Sequence, residues 1–208
     1  MWIFLRQRSH SVQWQRIDIY WRFSLELRLN SSAFDRDGRN SLKNQKKPSS
    51  LRIRVGTARD VSIILNMIRG LAEYERLESQ VKVTPARILR DGFGRRPYFK
   101  TLICREGKNT VGFALYFFTY STFLARPTLY VEDLFVLPQL RGKGAGKALL
   151  GELARIAVRR ECGRMEWAVL NWNARAITFY RRLGARPRKE WVLTRLTGTA
   201  LRRLARSH

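Results

Sequence analysis

Between the apolar segment LYVEDLFV and the amphipathic segment AGKALLGELARIAVRR lies a turn of unusual composition. Gly142, Gly144 and Gly146 alternate there with Lys143 and Ala145, flanked by Arg141 and Lys147. Glycines let a backbone come close to a ligand, and the exposed N–H groups at a helix start, with the helix dipole behind them, attract an anion. An anion fits such a turn, with Arg141, Lys143 and Lys147 adding positive charge. Two familiar phosphate loops do not match the spacing. A P-loop ending at Gly146-Lys147 needs glycine five residues earlier and a hydroxyl residue next, where Arg141 and Ala148 stand. The dinucleotide fingerprint needs G-x-G-x-x-G opening a parallel βαβ unit, and the glycines here are spaced G-x-G-x-G. What remains is Arg141-x-x-Gly144-x-Gly146 between a strand and a helix.

The elements that must position this turn follow from periodicity. LRIRV (51–55) reads as a strand, and Thr57 with Asp60 as a helix start feeding Ile64, Leu65, Ile68, Leu71 and Ala72 along one face. Thr84-Pro85 opens a second, short helix. YFKTLICRE and TVGFALYFFTYS read as two strands joined at Gly107-Lys108-Asn109, followed by the strand LYVEDLFV and a long helix from about Gly144 to Arg160. MEWAVL is expected as a strand, NARAITFYRRLG as a helix closed by Gly184, and EWVLTRL as a last strand. The order β-α-α-β-β-β-α-β-α-β predicts an α/β fold with a mixed, mainly antiparallel sheet flanked by helices. Upstream, Ile17 to Leu29 alternate like a strand, and the polar stretch from Asn30 to Ser50 reads as a linker. Residues 1–50 are therefore expected to be a poorly defined N-terminal extension, and 51–208 the domain.

Read together, LAEYERLE, DGFG, VGFALYFFTYS, LYVEDLFVLPQLRGKGAGKALL, NWNARAITFYRRLGA and a terminal Glu-Trp strand resemble the GNAT superfamily of N-acetyltransferases over residues 51–200. Arg141-x-x-Gly144-x-Gly146 resembles its acetyl-CoA signature, and the order of the motifs is similar to the spermidine/spermine and thialysine acetyltransferase group. The resemblance implies that the turn from Arg141 to Lys147, including Ala145, holds the pyrophosphate. It implies further that the backbone of Leu134, Phe135 and Val136 lies along the pantetheine arm, and that Asn173, Ala174, Arg175 and Ala176 contact the cofactor from the other side. For the acceptor it implies Tyr74, Glu75, Glu132, Asn171, Trp172, Asn173 and Glu190. Asn171 departs from the pattern, since the family often has an acidic residue there, which favours a small amine or lysine analogue over a true polyamine.

Acetyl transfer from a thioester to an amine needs a neutral amine and a proton for the departing thiolate. An alkyl amine has a pKa near ~10, so it arrives charged and must lose a proton. Glu132, at the end of the central strand, is the expected base, acting directly or through water. Asp133 beside it alternates to the opposite face and is expected to be structural. Tyr180 matches the family tyrosine that protonates the coenzyme A sulfur. His10 and His208 lie in terminal segments, and neither Cys104 nor Cys162 has a histidine candidate nearby, so direct transfer is expected rather than an acyl-enzyme. The alternative within the enzyme class is a protein N-terminal or lysine acetyltransferase.

Composition bounds the partners. With 41 Lys and Arg against 16 Asp and Glu, the net charge is +25, of which residues 1–50 carry +6 and residues 51–208 the other +19. This charge would allow a nucleic-acid-binding protein on a CoA-binding scaffold, but no recognised binding motif accompanies it, and a solvated basic surface is the simpler reading. No run approaches the ~18 apolar residues of a membrane-spanning helix, so no membrane partner is expected. The two cysteines fit neither a disulfide framework nor zinc-ligand spacing; a cytoplasmic setting without metal is expected. A homodimer is implied by the family resemblance.

Overall fold

The computed structural model describes residues 51–207. The strand expected within 17–29 and the linker over 30–50 lie outside the described residues. Strand β1 (Leu51–Val55) leads through a short 3-10 turn into helix α1 (Val61–Glu75). The junction is a capping box. The Asp60 carboxylate accepts from the Thr57 N–H at 2.8 Å and takes both terminal nitrogens of Arg54 at 2.6 and 2.7 Å. These charge-assisted bonds hold the buried Asp60 carboxyl far below the usual carboxylate range, with the Arg54 hydrogen bonds the largest cause.

Helix α2 (Pro85–Phe93) follows, its Thr84 hydroxyl accepting from the Arg87 N–H at 3.3 Å. Then come β2 (Lys100–Glu106), β3 (Asn109–Ser121), β4 (Arg126–Val136), α3 (Ala145–Arg159), β5 (Arg164–Trp167), α4 (Ala174–Arg182) and α5 (Gly198–Leu204). The strands form one sheet in the order β1-β2-β3-β4-β5, antiparallel throughout except for the parallel β4–β5 pair. The sheet has a helical layer on each face. On one, Leu149, Leu150, Leu153 and Ala157 of α3 pack with Leu102, Ala114, Tyr116, Leu129 and Val131 of the sheet. On the other, Ile64, Leu65 and Met67 of α1 and Ile88 of α2 pack with Ile103, Phe113, Leu115 and Phe135. Burial of each such large apolar side chain contributes about 1.5–3 kcal/mol against its chain entropy.

Two expectations change. EWVLTRL is not a strand: residues 191–197 have no regular structure, and the chain ends instead in the short helix α5. The alternation in that segment would make a strand only beside a sheet edge that could pair with it. No sheet edge takes it up, and Trp191, Val192 and Leu193 stand 71, 83 and 79% exposed. Strand β5 is also shorter than expected, ending at Trp167.

Candidate active site

The parting of β4 and β5 makes the site. Their register runs only from Thr128 opposite Arg164 to Val131 opposite Trp167, after which β4 continues alone on that side to Val136. On its other side β4 stays paired with β3, Leu134 opposite Ala114, Phe135 opposite Phe113 and Val136 opposite Gly112. The outer backbone edge at Leu134, Phe135 and Val136 therefore has no strand beside it among the described residues. An extended amide chain such as pantetheine fits such an edge as an added strand.

At the end of that edge stands the glycine turn. Gly142 and Gly144 have φ of +82° and +89°, in the left-handed region that disfavours side chains, so the turn needs these two glycines for its backbone shape. Gly146 is different: it lies inside α3, and a Cβ there would meet Phe179 at 3.7 Å, ordinary contact. The first intrahelical bond of α3 is Ala148 N–H to the Gly144 carbonyl at 2.9 Å, which leaves the N–H groups of Ala145, Gly146 and Lys147 without intrahelical acceptors. Lys143 and Lys147 are exposed beside them. This is a ready anion site. Arg141 takes no part in the turn's outer surface. Its Nε donates to the Val136 carbonyl at 3.0 Å, and its guanidinium lies over the Tyr74 ring, 4.2 Å from the centroid.

Tyr74 links the elements around the gap. Its ring is 6.0 Å from that of Trp172, and its hydroxyl donates to the Asn173 side-chain oxygen at 3.4 Å. That same oxygen accepts from the Ala176 N–H at 3.1 Å, so Asn173 is the N-cap of α4. Asn171 is exposed, as are Ala174 and Arg175, with Ala176 half-buried. Helix α4 carries Tyr180, half-buried with its ring 5.1 Å from Trp167 and 5.4 Å from Phe179. Burial, and next the charge of Glu75, push its phenol above the ordinary value, so it holds its proton at neutral pH.

The carboxylates sit otherwise than strand alternation predicts. The β3–β4 register shifts so that Leu115 faces Asp133 while Tyr116 faces Val131, leaving Glu132 as an extra residue in a β-bulge. Asp133 consequently lies on the same face as Leu115 and Phe135, the face of α1 and α2. Glu132 lies on that side too, lining a cavity of about 420 Å³ with Tyr98, Phe99, Leu115 and Phe117. The expectation that Asp133 points away from Glu132 is thus corrected by the bulge, which period-2 reasoning cannot anticipate. Burial, then Glu132, then Glu75 push the Asp133 carboxyl up to about 7. Glu75, the last residue of α1, is itself raised by burial. In a domain dominated by arginine, Asp60, Asp91, Glu152, Glu166 and Glu190 each pair with an arginine, whereas Glu75, Glu132 and Asp133 make no ion pair among the described residues.

Of the residues expected at the site, Tyr74, Trp172 and Asn173 are brought into contact, with Arg141 against Tyr74, and Glu75 acts electrostatically on Tyr180. Glu190 is not brought there: it lies exposed in the C-terminal segment, paired with Arg188. Asp133 and the cavity walls Tyr98, Phe99, Leu115 and Phe117 were not anticipated as site residues. In sequence the aromatic and aliphatic walls cannot be told from core.

Comparison with known proteins agrees with this geometry. Residues 67–185 match the acetyltransferase (GNAT) family. A mouse protein named thialysine N-epsilon-acetyltransferase is 39% identical over 168 residues, 76% of this chain and 98% of its own. An Arabidopsis thaliana protein named L-ornithine N5-acetyltransferase is 50% identical over 90 residues, covering 43% of this chain and 40% of its own. Among solved structures, an integron cassette protein from the mobile metagenome of V. cholerae superposes with a TM-score of 0.65 at 28% identity, covering 76% of this chain and 99% of that one. With its open β4 edge, its glycine turn and these relatives, the chain belongs to the GNAT acetyltransferase family and is an acetyl-CoA-dependent N-acetyltransferase.

Proposed function

We propose that the chain moves the acetyl group of acetyl-CoA directly to a primary amine of a small cationic molecule, a diamine, a polyamine or a thialysine-like amino acid. The observation that carries this reading is the gathering of three carboxylates, Glu132 and Asp133 at the bulge and Glu75 at the end of α1, close enough to act on one another in a chain of net charge +25. Five other carboxylates, Asp60, Asp91, Glu152, Glu166 and Glu190, pair with arginine, whereas Glu75, Glu132 and Asp133 make no ion pair among the described residues and stay available for a cation brought in by the substrate. The cavity at Glu132 has apolar walls, Phe99, Leu115 and Phe117, which suit the methylene chain of such an amine. The names of the relatives from mouse and Arabidopsis thaliana, which concern thialysine and L-ornithine, support the same class of acceptor.

In this reading the N–H groups of Ala145, Gly146 and Lys147, with Lys143, hold the pyrophosphate, and the edge from Leu134 to Val136 aligns the pantetheine arm. Ala174, Arg175 and Ala176 flank the cofactor, Tyr74, Asn171 and Trp172 line the acceptor side, and Tyr180 returns a proton to the leaving thiolate. Residues 51–208 act as one domain, in a cytoplasmic homodimer, with residues 1–50 as an extension. A panel of mono-, di- and polyamines, thialysine and L-ornithine with acetyl-CoA, read by thiol release, tests the proposal. Release with the small amines supports it; release only with peptides would favour a protein acetyltransferase.

A further inference from the structure

We propose that the acceptor is an amino acid with an amine on its side chain, and that Arg95 and Arg96 hold its carboxylate. The inference rests on the acetyl transfer to a small amine proposed above and selects one class among the acceptors named there. Two hollows share one tyrosine. The cavity with Glu132 in its wall is lined otherwise by Tyr98, Phe99, Leu115 and Phe117. A second hollow, of about 270 Å³, is lined by Arg90, Asp91, Gly94, Arg95, Arg96 and Tyr98. Tyr98 belongs to both and is exposed, so an apolar cavity with a carboxylate adjoins an arginine-lined hollow. A molecule with a cationic end, a short apolar stem and an anionic end matches this order of surfaces.

In the second hollow Arg90 and Asp91 neutralise each other, the Arg90 Nε and one terminal nitrogen donating to the two Asp91 oxygens at 2.6 and 2.9 Å. Arg95 and Arg96 make no ion pair among the described residues. Arg155 and Arg159, on the face of α3, are by contrast both paired with Glu152. The backbone that carries Arg95 and Arg96 is tied to the end of α2. The Gly94 N–H donates to the Arg90 carbonyl at 3.2 Å and the Tyr98 N–H to the Asp91 carbonyl at 2.7 Å. A Cβ at Gly94 would stand 2.4 Å from the Arg90 carbonyl oxygen, and one at Gly92 would stand 2.5 Å from the Phe99 ring. Both glycines thus let the loop and the cavity wall pack this closely, and Pro97 restricts the chain between Arg96 and Tyr98. Two guanidinium groups are therefore presented, unpaired, beside the amine cavity.

Guanidinium groups bind a carboxylate through charge-assisted, often paired hydrogen bonds. The same two charges repel ammonium groups, so a polyamine, which would bring a further cation to the second hollow, is disfavoured there. An amino acid such as ornithine or thialysine satisfies both surfaces, its side-chain amine toward Glu132 and its carboxylate toward Arg95 and Arg96.

The test uses acceptors that differ at the carboxylate alone. L-ornithine is compared with 1,4-diaminobutane, its decarboxylated counterpart, and thialysine with its α-carboxamide. Each is measured as kcat/KM with acetyl-CoA in wild type and in the double variant Arg95→Gln/Arg96→Gln. Wild type should favour the carboxylate-bearing member of each pair by about 10-fold or more. The double variant should lose most of that preference, chiefly through a higher KM for the amino acids, and should keep the wild-type melting temperature, since both side chains are exposed. The comparison within each pair in wild type needs no variant and stands whatever the substitutions do to the fold. Equal kcat/KM within each pair in wild type, or an unchanged preference in a folded double variant, would overturn the assignment. Thiol release only with diamines and polyamines would overturn it too, while leaving the proposed function in place. No release with any small amine would sink that function, and this inference with it.

Discussion

The guanidinium of Arg141 lies 4.2 Å from the centre of the Tyr74 ring, so the first residue of the cofactor signature packs on a residue at the end of α1. Through the Tyr74 hydroxyl the contact continues to Asn173 and hence to the cap of α4. Arg141 before the glycine turn, Trp172 and the helix carrying Tyr180 thus share one aromatic ring.

From this follows the first prediction. Tyr74→Leu removes a cation–π contact worth about 0.5–2 kcal/mol together with a hydrogen bond to the α4 cap. Acetyl-CoA affinity should fall several-fold and kcat/KM for the amine further. Tyr74→Phe keeps the ring and should restore the cofactor affinity. Calorimetry of both variants decides it, and equal losses would show that the ring contact with Arg141 contributes nothing.

The glycine turn separates folding from binding. Gly144 at φ +89° cannot take a side chain without strain of about 1–2 kcal/mol, so Gly144→Ala should lower both the melting temperature and acetyl-CoA affinity. Gly146 lies within α3, where alanine is the better helix former by about 0.5–1 kcal/mol. Gly146→Ala should therefore hold or raise the melting temperature and leave acetyl-CoA affinity nearly intact, because its Cβ would point at Phe179 and Val136. Unchanged affinity in Gly144→Ala would place the pyrophosphate elsewhere.

Tyr180→Phe deletes the hydroxyl and leaves the ring against Trp167 and Phe179. Turnover should drop by about 10²-fold with acetyl-CoA affinity nearly intact, as expected for loss of a general acid. Full turnover would return Tyr180 to a packing role.

The helices and the first four strands were legible because their signals are local. Thr57 with Asp60, Thr84 with Pro85, and Gly184 mark ends that the structure uses as caps and stops. The segment from Glu190 to Leu196 carries an equally good local pattern, yet a strand exists only where an edge can pair with it, and pairing is not written in the pattern. The bulge at Glu132 was illegible for a related reason: one extra residue changes the face of all that follow, and only the β3 register reveals it. Asn173 was read as a ligand contact, and the structure adds its role as the α4 cap. The glycine spacing, by contrast, led directly to the turn, because positive φ and helix-start N–H groups both follow from residue type.

Asp133 carries a last consequence, for stability. Its carboxyl would titrate near ~3.9 in the unfolded chain and is pushed up to about 7 in the fold, chiefly by burial. A raised carboxylate binds its proton more tightly folded than unfolded, so between about pH 4 and 7 the folded state holds the extra proton and stability falls as pH rises. Each unit of difference is worth about 1.4 kcal/mol, which sets a ceiling of about 4 kcal/mol of stability withheld at pH 8 relative to pH 4. Asp133→Asn removes the charge and with it this penalty. An amide needs hydrogen bonds of its own, so the net gain should be nearer about 1–2 kcal/mol at pH 8 and close to zero at pH 4. Thermal melts of wild type and Asp133→Asn at the two pH values test this. A variant that melts higher at pH 8 only would show a half-buried carboxylate kept at the expense of the fold. A variant that melts lower at both would mean that Asp133 is a structural group after all.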